Sequence, residues 1–476
     1  MEEERLITLF TQSTGKSVRT IEKIHGSGGG GRCYYHITDT EGGSMFGIKG
    51  TNPEENSAFY ELSRLFYASG FHTPQVYGIT EDRMYYLQQY LGTTTLADFL
   101  KAHKDSDGNY DSDASDMALR AIADLPKMQF EGASRAAFDN CYPVPSMDEM
   151  SIMFDLNYFK YCFLKLRNIE FNEVRLETDY RYLTSDILAE MTDTFMYRDF
   201  QSRNVMIHEG TPYYIDYQGG RKGPIYYDVA SFVWQASANY PDQFKSRLID
   251  AYIQALQPYM QISHEKFLPK LRLFVLFRTL QVLGAYGFRG LWEKKQQFID
   301  SIPQGLRNLR ELLESGVCNP YPELKSACKA LVESASQDDR DTQRHGIRVM
   351  SFSYKKGIPA DHSGNGGGYV FDCRSTHNPG RYEQYRHLTG LDQPVIDFLE
   401  ENGEILTFLD SVYKIVDFHV QRYLERGFTD LLICFGCTGG QHRSVYSAQH
   451  VAEHIHEKFG IPVHLTHREQ GIDSTL

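Results

Sequence analysis

The sequence predicts a chain of mixed α/β and α+β class, in which a bilobal domain precedes a small α/β domain with a mainly parallel sheet. The length of 476 residues is enough for two or three domains. The polar residues 334–345 lack an apolar period and are typical of a linker. Strands alternate with helices only after this linker, which favours a parallel sheet there. The predicted units are residues 1–333, with lobes 1–90 and 91–333, and residues 346–476.

Composition and charge narrow the classes of function. The formal charge is −13, from 62 acidic and 49 basic residues, which disfavours non-specific nucleic-acid binding by the whole chain. Residues 1–5 lack the apolar core of a signal peptide, and no apolar run reaches membrane-spanning length, so we expect no membrane partner. Eight Cys in a chain this long do not indicate a disulfide framework. The sequence therefore predicts a cytoplasmic protein of undetermined oligomeric state.

A glycine-rich loop lies between two predicted strands near the N-terminus, residues 21–24 and 33–37. The loop contains Ser27, Gly28, Gly29, Gly30 and Gly31. Because glycine has no Cβ, the backbone N–H groups of such a loop can approach phosphates closely. We predict that these five residues bind nucleotide phosphates; the alternative is a flexible hairpin turn.

The next strand, residues 46–49, ends at Lys49. In kinases a lysine at this place contacts the nucleotide phosphates and pairs with a glutamate of the following helix. That helix is predicted to begin at Asn52, a favourable N-cap, and to carry Glu55 and Glu61. Both glutamates are candidate partners of Lys49, and we favour Glu61 because it lies deeper in the helix.

The connection between the two lobes is predicted just after the strand over residues 83–87. Backbone groups from Gln89 to Leu91 lie where adenine would bind. Residues 117–331 are then mainly helical in pattern.

The chemical centre of the first unit is the stretch 197–204, which carries Asp199 and Asn204 five residues apart. Two short strands with a turn between them, over residues 205–215, bring Asp216 back beside Asn204. Phosphoryl transfer needs such a set: one carboxylate for the attacking hydroxyl, and oxygen ligands for magnesium. We therefore predict Asp199 and Asn204 as catalytic, Asn204 and Asp216 as Mg²⁺ ligands, and ATP as the nucleotide. The alternative is an exposed loop in which Asp and Asn only cap turns.

The second unit has strands at residues 347–352, 369–374, 431–435 and 462–465, and helices at 394–423 and 445–459. A glycine-containing loop between the strand at 431–435 and the helix after it is an anion-binding arrangement. The predicted anion site consists of Thr438, Gly439, Gly440, His442, Arg443 and Ser444.

Other interpretations of this loop remain. The spacing Cys437-x-x-Gly440-x-x-Arg443 satisfies the signature of cysteine phosphatases, in which a thiolate attacks phosphorus. Gly436 stands where those enzymes have a His. Cys434 and Cys437 also form the spacing of a redox pair, but Cys434 falls inside the strand, and a zinc site would need a second pair.

Residues 20–330 resemble the aminoglycoside and choline phosphotransferase superfamily, whose fold is protein-kinase-like. The resemblance rests on residues 27–35, 55–74, 198–204, 216–218 and 223–228. Within the superfamily, the chain is most similar to bacterial anomeric kinases of cell-wall amino sugars, N-acetylmuramate and N-acetylglucosamine. This implies an ATP-dependent kinase of a small molecule, with an amino sugar as acceptor. Tyr197 stands where the family has His, and Asp228 is expected to brace the catalytic loop.

Residues 345–470 resemble the C-terminal domain of the RapZ family of RNase adapters. The resemblance rests on residues 369–374, 388–392, 436–446 and 467–468. It implies a sensor of glucosamine-6-phosphate. The family's Asn-Pro-His-Trp pattern is Asn-Pro-Gly-Arg here, with Gly380 and Arg381, so the ligand's identity stays open. The family's nucleotide domain is absent, so its RNA role is not transferred.

Three hypotheses follow from the sequence. The first is an ATP-dependent amino-sugar kinase with a C-terminal sugar-phosphate-sensing domain. The second is a regulatory adapter whose kinase-like half only senses nucleotide. The third adds a C-terminal cysteine phosphatase to the kinase.

Overall fold

The structure is a computed structural model that describes all residues except 1, 25–30, 107, 136–137, 139–140, 343–345, 362–367, 402 and 427–429. For residues 134–135 and 335–342 it describes the helical backbone alone. The chain divides into two compact units, Met1–Glu333 and Ser334–Leu476.

The N-terminal lobe of the first unit is a five-stranded sheet in the order β1-β2-β3-β5-β4, with every neighbouring pair antiparallel. Its elements are α1 (Glu2–Thr14), β1 (Val18–Ile24), β2 (Cys33–Asp39), β3 (Ser44–Lys49), α2 (Pro53–Ala68), β4 (Val76–Ile79) and β5 (Tyr85–Gln89). Asn52 caps α2 as predicted, since its Oδ1 accepts the N–H groups of Glu54 and Glu55 at 2.8 and 3.2 Å.

Helix α1 covers one face of this sheet, and the sequence analysis did not predict it. Leu6, Leu9 and Phe10 of α1 are buried against the strands. A Cβ on Gly47 would lie 2.8 Å from Ile37 Cδ1 and 3.0 Å from Leu6 Cδ2, so the close approach of the helix requires glycine at this position. Because side chains alternate along a strand, Lys49 is on the same face as Gly47.

The C-terminal lobe is mainly helical and contains two short pairs of strands, β6–β9 and β7–β8. Its elements are α3 (Leu96–Ala102), α4 (Ser112–Ala123), α5 (Leu125–Arg135), α6 (Glu149–Phe159), α7 (Glu173–Leu188), β6 (Thr194–Met196), β7 (Val205–His208), β8 (Thr211–Tyr214), β9 (Arg221–Gly223), α8 (Ile225–Val233), α9 (Asp242–Leu256), α10 (His264–Tyr286), α11 (Gln296–Ile299), α12 (Ile302–Glu314) and α13 (Pro322–Thr342). The turn between β7 and β8 consists of Glu209 and Gly210, with φ of 50° and 73°. Two positive φ values are the geometry of a tight hairpin, which the sequence predicts here.

One helical stretch in the described part of the chain, His264–Trp292, is long and apolar enough to cross a membrane. Within the protein, 61% of its most apolar window is buried. Helix α10, which forms most of it, packs against α6, α8 and α12. Its hydropathy therefore has an explanation in the core of the lobe.

The predicted linker over residues 334–345 is wrong for most of its length, because α13 continues to Thr342. The helix is already anchored by Leu324, Ala327 and Leu331, which are buried. Once a helix is nucleated, each further residue adds a hydrogen bond, so the polar residues that follow can extend it without an apolar face.

The second unit contains a five-stranded sheet in the order β11-β12-β10-β13-β14. All neighbouring pairs are parallel except β13–β14. Its elements are β10 (Gly346–Ser353), β11 (Tyr369–Asp372), α14 (Gln393–Glu401), α15 (Glu404–Arg426), β12 (Asp430–Cys437), α16 (Arg443–Phe459), β13 (Val463–His467) and β14 (Ile472–Thr475). The helix predicted over 394–423 is two helices, and Gly403 between them has a φ of 69° that ends a right-handed helix. The predicted fold class of both units is confirmed.

Candidate active site and candidate anion site

Hydrogen bonds link Asp199 and Asn204, predicted as catalytic, with the backbone next to Asp216, predicted as a Mg²⁺ ligand. Asn204 Nδ2 donates to the backbone carbonyl of Asp199 at 2.8 Å. The N–H of Ile215, next to Asp216, donates to the carbonyl of Asn204 at 3.0 Å. The first bond fixes the Asn204 amide with its nitrogen toward Asp199, which leaves the oxygen for a metal ion.

Asp228 holds the backbone at the start of this loop. Its two carboxylate oxygens accept the N–H groups of Tyr197 and Arg198, both at 2.8 Å. Arg198 has a φ of 77°, a conformation that a non-glycine residue keeps only when its surroundings fix it. The Tyr197 hydroxyl donates to the Ile215 carbonyl, which ties the loop to the strand that carries Asp216. Asp228 therefore makes the bracing contacts that the sequence predicts, and Tyr197 braces the loop where the resembling family has His.

Replacing Asp228 by Asn is expected to change how stability depends on pH. Burial raises the pKa of Asp228 from 3.8 to about 7. Unfolding returns the carboxyl to its ordinary pKa, so its contribution to stability is present below about pH 4 and is lost as the pH rises through about 7. The difference in Tm between wild type and Asp228→Asn should therefore be larger near pH 5 than near pH 8. Thermal unfolding of both proteins at the two pH values measures this; an equal difference would contradict the assignment.

Asp199 is an ionised carboxylate at neutral pH. Burial alone would raise the pKa of Asp199, but the positive charges of three arginines outweigh this effect and keep the pKa below its ordinary value. These arginines are Arg278, Arg203 and Arg198. Arg278 Nη2 lies 3.0 Å from Asp199 Oδ1, while the Asp199 side chain remains 44% exposed. A charged, accessible carboxylate of this kind can accept a hydrogen bond from an acceptor hydroxyl.

Arg278 was missed by the sequence analysis. It lies in the middle of α10, 79 residues from Asp199, and also donates to Tyr227 Oη and Gln281 Oε1 at 3.2 and 2.6 Å. Gln281 in turn donates to Asp155. No local pattern marks an arginine in an otherwise apolar helix as the partner of a distant catalytic loop.

Asp216 has the chemistry of a magnesium ligand. Its φ is 70°, so its backbone is held in the left-handed region. Both described hydrogen bonds of its carboxylate go to Oδ1, from Gln218 Nε2 at 2.7 Å and from Arg32 Nη1 at 3.1 Å. Oδ2 and the Asn204 amide oxygen are hard ligands that suit Mg²⁺. Within the described residues no cluster of three or more His, Cys, Asp or Glu could hold a metal ion. In phosphoryl transfer the nucleotide phosphates also bind the metal ion.

The predicted pairing of Lys49 with Glu61 is wrong in this structure. Lys49 forms an ion pair with Glu2 of α1, on the face of the sheet away from Asp216. Glu61 instead lies 3.3 Å from Arg64 on α2. The physical reason is that neighbouring residues of a strand place their side chains on opposite faces of the sheet. A shift of one position along β3 therefore decides which face Lys49 is on. Glu55, the alternative partner, contacts Arg32.

Only part of the predicted nucleotide-binding loops lies within the described residues. Ser27, Gly28, Gly29 and Gly30 lie outside the described residues; Gly31 has a φ of 82°, which favours glycine. At the predicted hinge the N–H of Gln89 already donates to the Gln75 carbonyl at 2.7 Å. The N–H of Gln89 is therefore not available to adenine. Adenine binding by the neighbouring backbone up to Leu91 stays a prediction.

The second predicted site is the loop between β12 and α16, and a cysteine lies at its base. Cys437 Sγ accepts the N–H of Gly440 at 3.2 Å and lies 3.1 Å from Ser444 Oγ. Burial would raise the pKa of the Cys437 thiol, but hydrogen bonds from Ser444, Gly440 and Gln441 outweigh it and lower the pKa. The N–H group of Gly440 and the hydroxyl group of Ser444, both predicted to bind an anion, are therefore directed at Cys437 Sγ.

Of the two side chains predicted to add positive charge to this loop, His442 does not, and Arg443 is partly engaged by backbone carbonyls. Arg443 is 4% exposed, and its Nη1 donates to the carbonyls of Arg374 and Thr376 at 3.1 and 2.8 Å. His442 Nε2 lies 2.8 Å from the Tyr385 carbonyl, and burial lowers its pKa, so the ring is neutral at neutral pH. Both side chains hold neighbouring loops through these hydrogen bonds, while the buried Nε of Arg443 has no hydrogen-bond partner among the described residues.

The exposed backbone of this loop is a further candidate for the predicted anion site. Thr438 and Gly439 are exposed, and the Thr438 carbonyl is held by Ser353 Oγ at 2.8 Å. Gly440 has a φ of 67°, and a Cβ there would lie 2.4 Å from Glu469 Cγ and 2.8 Å from Ser353 N. A Cβ on Gly436 would lie 2.5 Å from the rings of Phe352 and Tyr354, which explains glycine where cysteine phosphatases have His.

Two family models match the chain. The model of the phosphotransferase enzyme family matches residues 35–262, and the model of the RapZ C-terminal domain matches residues 345–471. Both resemblances stated from the sequence are thereby confirmed.

Curated relatives and solved structures also match parts of the chain. A nucleotide-binding protein of Staphylococcus epidermidis is 38% identical over 136 residues, which cover 29% of this chain and 43% of that protein. A nucleotide-binding protein of Petrotoga mobilis is 35% identical over 159 residues, or 31% of this chain and 53% of that protein. The chain thus spans about half the length of these relatives.

Among solved structures, a putative aminoglycoside phosphotransferase of Ralstonia eutropha has a TM-score of 0.45 at 13% identity, covering 70% of this chain and 98% of that one. The choline kinase LicA of Streptococcus pneumoniae has a TM-score of 0.42 at 12% identity, covering 66% and 99%.

Proposed function

Because the chain joins a domain of the phosphotransferase enzyme family to a RapZ C-terminal domain, we propose that it is an ATP-dependent kinase that phosphorylates a hydroxyl group of a small molecule. The observation that carries the proposal is the convergence of Asp199, Asn204 and Asp216 on one loop and hairpin. Asp199 receives the acceptor hydroxyl, and Asn204 and Asp216 hold magnesium against the phosphates.

Within the first unit the division of labour follows from charge. Asp199 is kept ionised by arginines and can orient an attacking hydroxyl. Mg²⁺ bound at Asp216 and Asn204 would neutralise charge that develops on the transferred phosphoryl group. An adapter that only sensed nucleotide would need the metal ligands but not an accessible carboxylate beside them.

We propose an amino sugar of cell-wall metabolism as the acceptor, since the sequence resembles bacterial kinases of such sugars. The test is a screen for ATP consumption by the full chain with N-acetylglucosamine, N-acetylmuramate and an aminoglycoside, using Asp199→Asn as the negative control. Phosphorus NMR of the product then identifies the hydroxyl that is modified. If none of the acceptors is phosphorylated while Mg-ATP binds, the sensing adapter replaces the kinase.

For the second unit we propose a sensor that binds a sugar phosphate without turning it over. The exposed backbone of Thr438 and Gly439 and the N-terminus of α16 supply donors to an anion. The lowered pKa of Cys437 favours a second candidate, a cysteine phosphatase. Against it stands Arg443, whose Nη1 donates to two backbone carbonyls and is not available to a substrate phosphate.

Two neighbouring glycines offer a matched test of the sensor. Gly440→Ala would push a Cβ into Glu469 and Ser353, whereas a Cβ on Gly439 meets no atom within 4 Å. We expect Gly440→Ala to weaken binding of glucosamine-6-phosphate by roughly ten- to a hundredfold, the loss of about one charge-assisted hydrogen bond. Gly439→Ala should bind like wild type. Calorimetry on the full chain measures both affinities.

Cys437→Ser separates the sensor from the phosphatase. In a sensor the variant keeps its affinity, because no thiolate is needed, and neither protein releases inorganic phosphate. Release of phosphate by wild type and not by the variant would establish the phosphatase. If no sugar phosphate binds to wild type, the sensor proposal fails.

A further inference from the structure

Arg32, which directly precedes β2, lies between two carboxylates of the proposed nucleotide site. Its Nη2 lies 2.5 Å from Glu55 Oε1 on α2, and its Nη1 lies 3.1 Å from Asp216 Oδ1. The same two oxygens accept Gln218 Nε2, at 3.2 and 2.7 Å. The Arg32 side chain is 11% exposed. One buried guanidinium therefore links the helix glutamate to the proposed magnesium ligand.

The alternation of side chains in the sheet explains why Arg32, and not Lys49, reaches this place. Tyr34 is opposite Ile48 in β3, and its ring packs edge-on against Phe46 at 6.3 Å, on the face away from α1. Arg32 is two positions before Tyr34 and follows the same face. Lys49 is opposite Cys33, on the face covered by α1, where Glu2 binds it.

The charges at this place suit an exchange of partners. Glu55, Asp216 and Arg32 together carry a net charge of −1, which attracts a divalent cation. Arginine presents several donors in a planar fork, so it can keep one carboxylate while its other donors turn to a phosphate. A lysine ammonium has the geometry of a point charge and holds two fixed partners less well.

We propose that Arg32 is the cation that contacts the nucleotide phosphates and links them to Glu55, in the place that the sequence pattern assigns to Lys49. Without nucleotide, Arg32 neutralises Asp216. With Mg²⁺ and nucleotide bound, Asp216 would ligate the metal ion, and the donors of Arg32 that Asp216 releases would turn to a phosphate oxygen. This inference rests on the proposed kinase function for the identity of the nucleotide.

The test compares Arg32→Met with Lys49→Met in the full chain. Calorimetry with Mg²⁺ and a non-hydrolysable ATP analogue measures binding, and a coupled assay measures KM for ATP and kcat separately. Arg32→Met should weaken binding by roughly ten- to a hundredfold, as expected for the loss of a charge-assisted phosphate contact. Lys49→Met should change affinity by less than about threefold, because a half-exposed ion pair contributes little.

Arg32→Lys is a control for the case in which Arg32→Met does not fold. It keeps the charge between Glu55 and Asp216, so its Tm should stay close to that of wild type, and its affinity should fall between those of wild type and Arg32→Met. A Lys49→Met protein that loses affinity while Arg32→Met and Arg32→Lys retain it would overturn the inference and leave the kinase proposal standing.

The kinase proposal can also fail while the inference about Arg32 stands. If wild type binds the analogue in an Arg32-dependent manner but phosphorylates no acceptor, Arg32 keeps its role and the kinase proposal fails. If wild type does not bind the analogue at all, both fail.

Discussion

Asp199→Asn is expected to lower turnover by roughly 10²–10⁴-fold, the usual loss when a positioned base is removed. The variant keeps the size and hydrogen-bonding shape of the side chain but cannot accept the proton of the attacking hydroxyl. Because Asn204 contacts the backbone carbonyl of Asp199 and not its side chain, the metal ligands should stay in place. Affinity for Mg-ATP should therefore remain close to that of wild type. Steady-state kinetics and calorimetry on the same preparation measure both quantities.

Asp193→Asn is a matched control for this experiment. Asp193 lies six residues before Asp199, is 90% exposed and pairs with Lys222 on the surface. Its replacement should leave turnover unchanged, since exposed ion pairs contribute little to stability. Wild-type turnover by Asp199→Asn would remove Asp199 from the mechanism. A loss of Mg-ATP affinity as large as the loss of rate would make Asp199 a nucleotide ligand instead of a base.

The hairpin that precedes Asp216 could be predicted because its signals are local. Asp199 and Asn204 are fixed in one loop, and the two-residue turn at Glu209 and Gly210 sets where Asp216 returns. Turn chemistry of this kind depends on neighbouring residues, so a single sequence reveals it. The capping of α2 by Asn52 could be predicted for the same reason.

The nucleotide cation could not be predicted, because it depends on which face of β3 meets α1. A strand pattern gives the alternation of side chains but not the identity of the element that covers each face. Glu2, which binds Lys49, belongs to a helix whose acidic first turn gave no sign of docking on the sheet. Arg278 was missed for a related reason, since its contact with Asp199 spans 79 residues.

In the second unit the conformation of glycine follows from the sequence more directly than the direction of the side chains. Glycine positions follow from backbone geometry, and Gly440 has the positive φ that such a loop requires. Arg443 carries the charge that the phosphatase spacing calls for, but tertiary contacts turn it toward Arg374 and Thr376. A motif gives the spacing of charges along the chain, whereas their direction depends on the neighbouring loops.

Asp216→Asn is expected to weaken binding of Mg-ATP by roughly ten- to a hundredfold and to reduce turnover, because a charged metal ligand is lost. Asn is preferable to Ala here: Asp216 has a φ of 70°, which Asn tolerates and Ala does not. Calorimetry with and without a chelator provides an internal control. In the presence of chelator, removing a carboxylate beside the phosphates should leave affinity for free ATP unchanged or improve it, since no metal ion bridges the two anions.

The Mg²⁺ concentration that the enzyme needs for activity tests whether Asp216 is a metal ligand. If the residue is a metal ligand, the Mg²⁺ concentration that gives half-maximal rate should rise in Asp216→Asn, whereas Asp199→Asn should leave it unchanged. Unaltered Mg-ATP affinity in Asp216→Asn, with an unaltered Mg²⁺ requirement, would mean that the carboxylate serves only to hold Arg32 and Gln218.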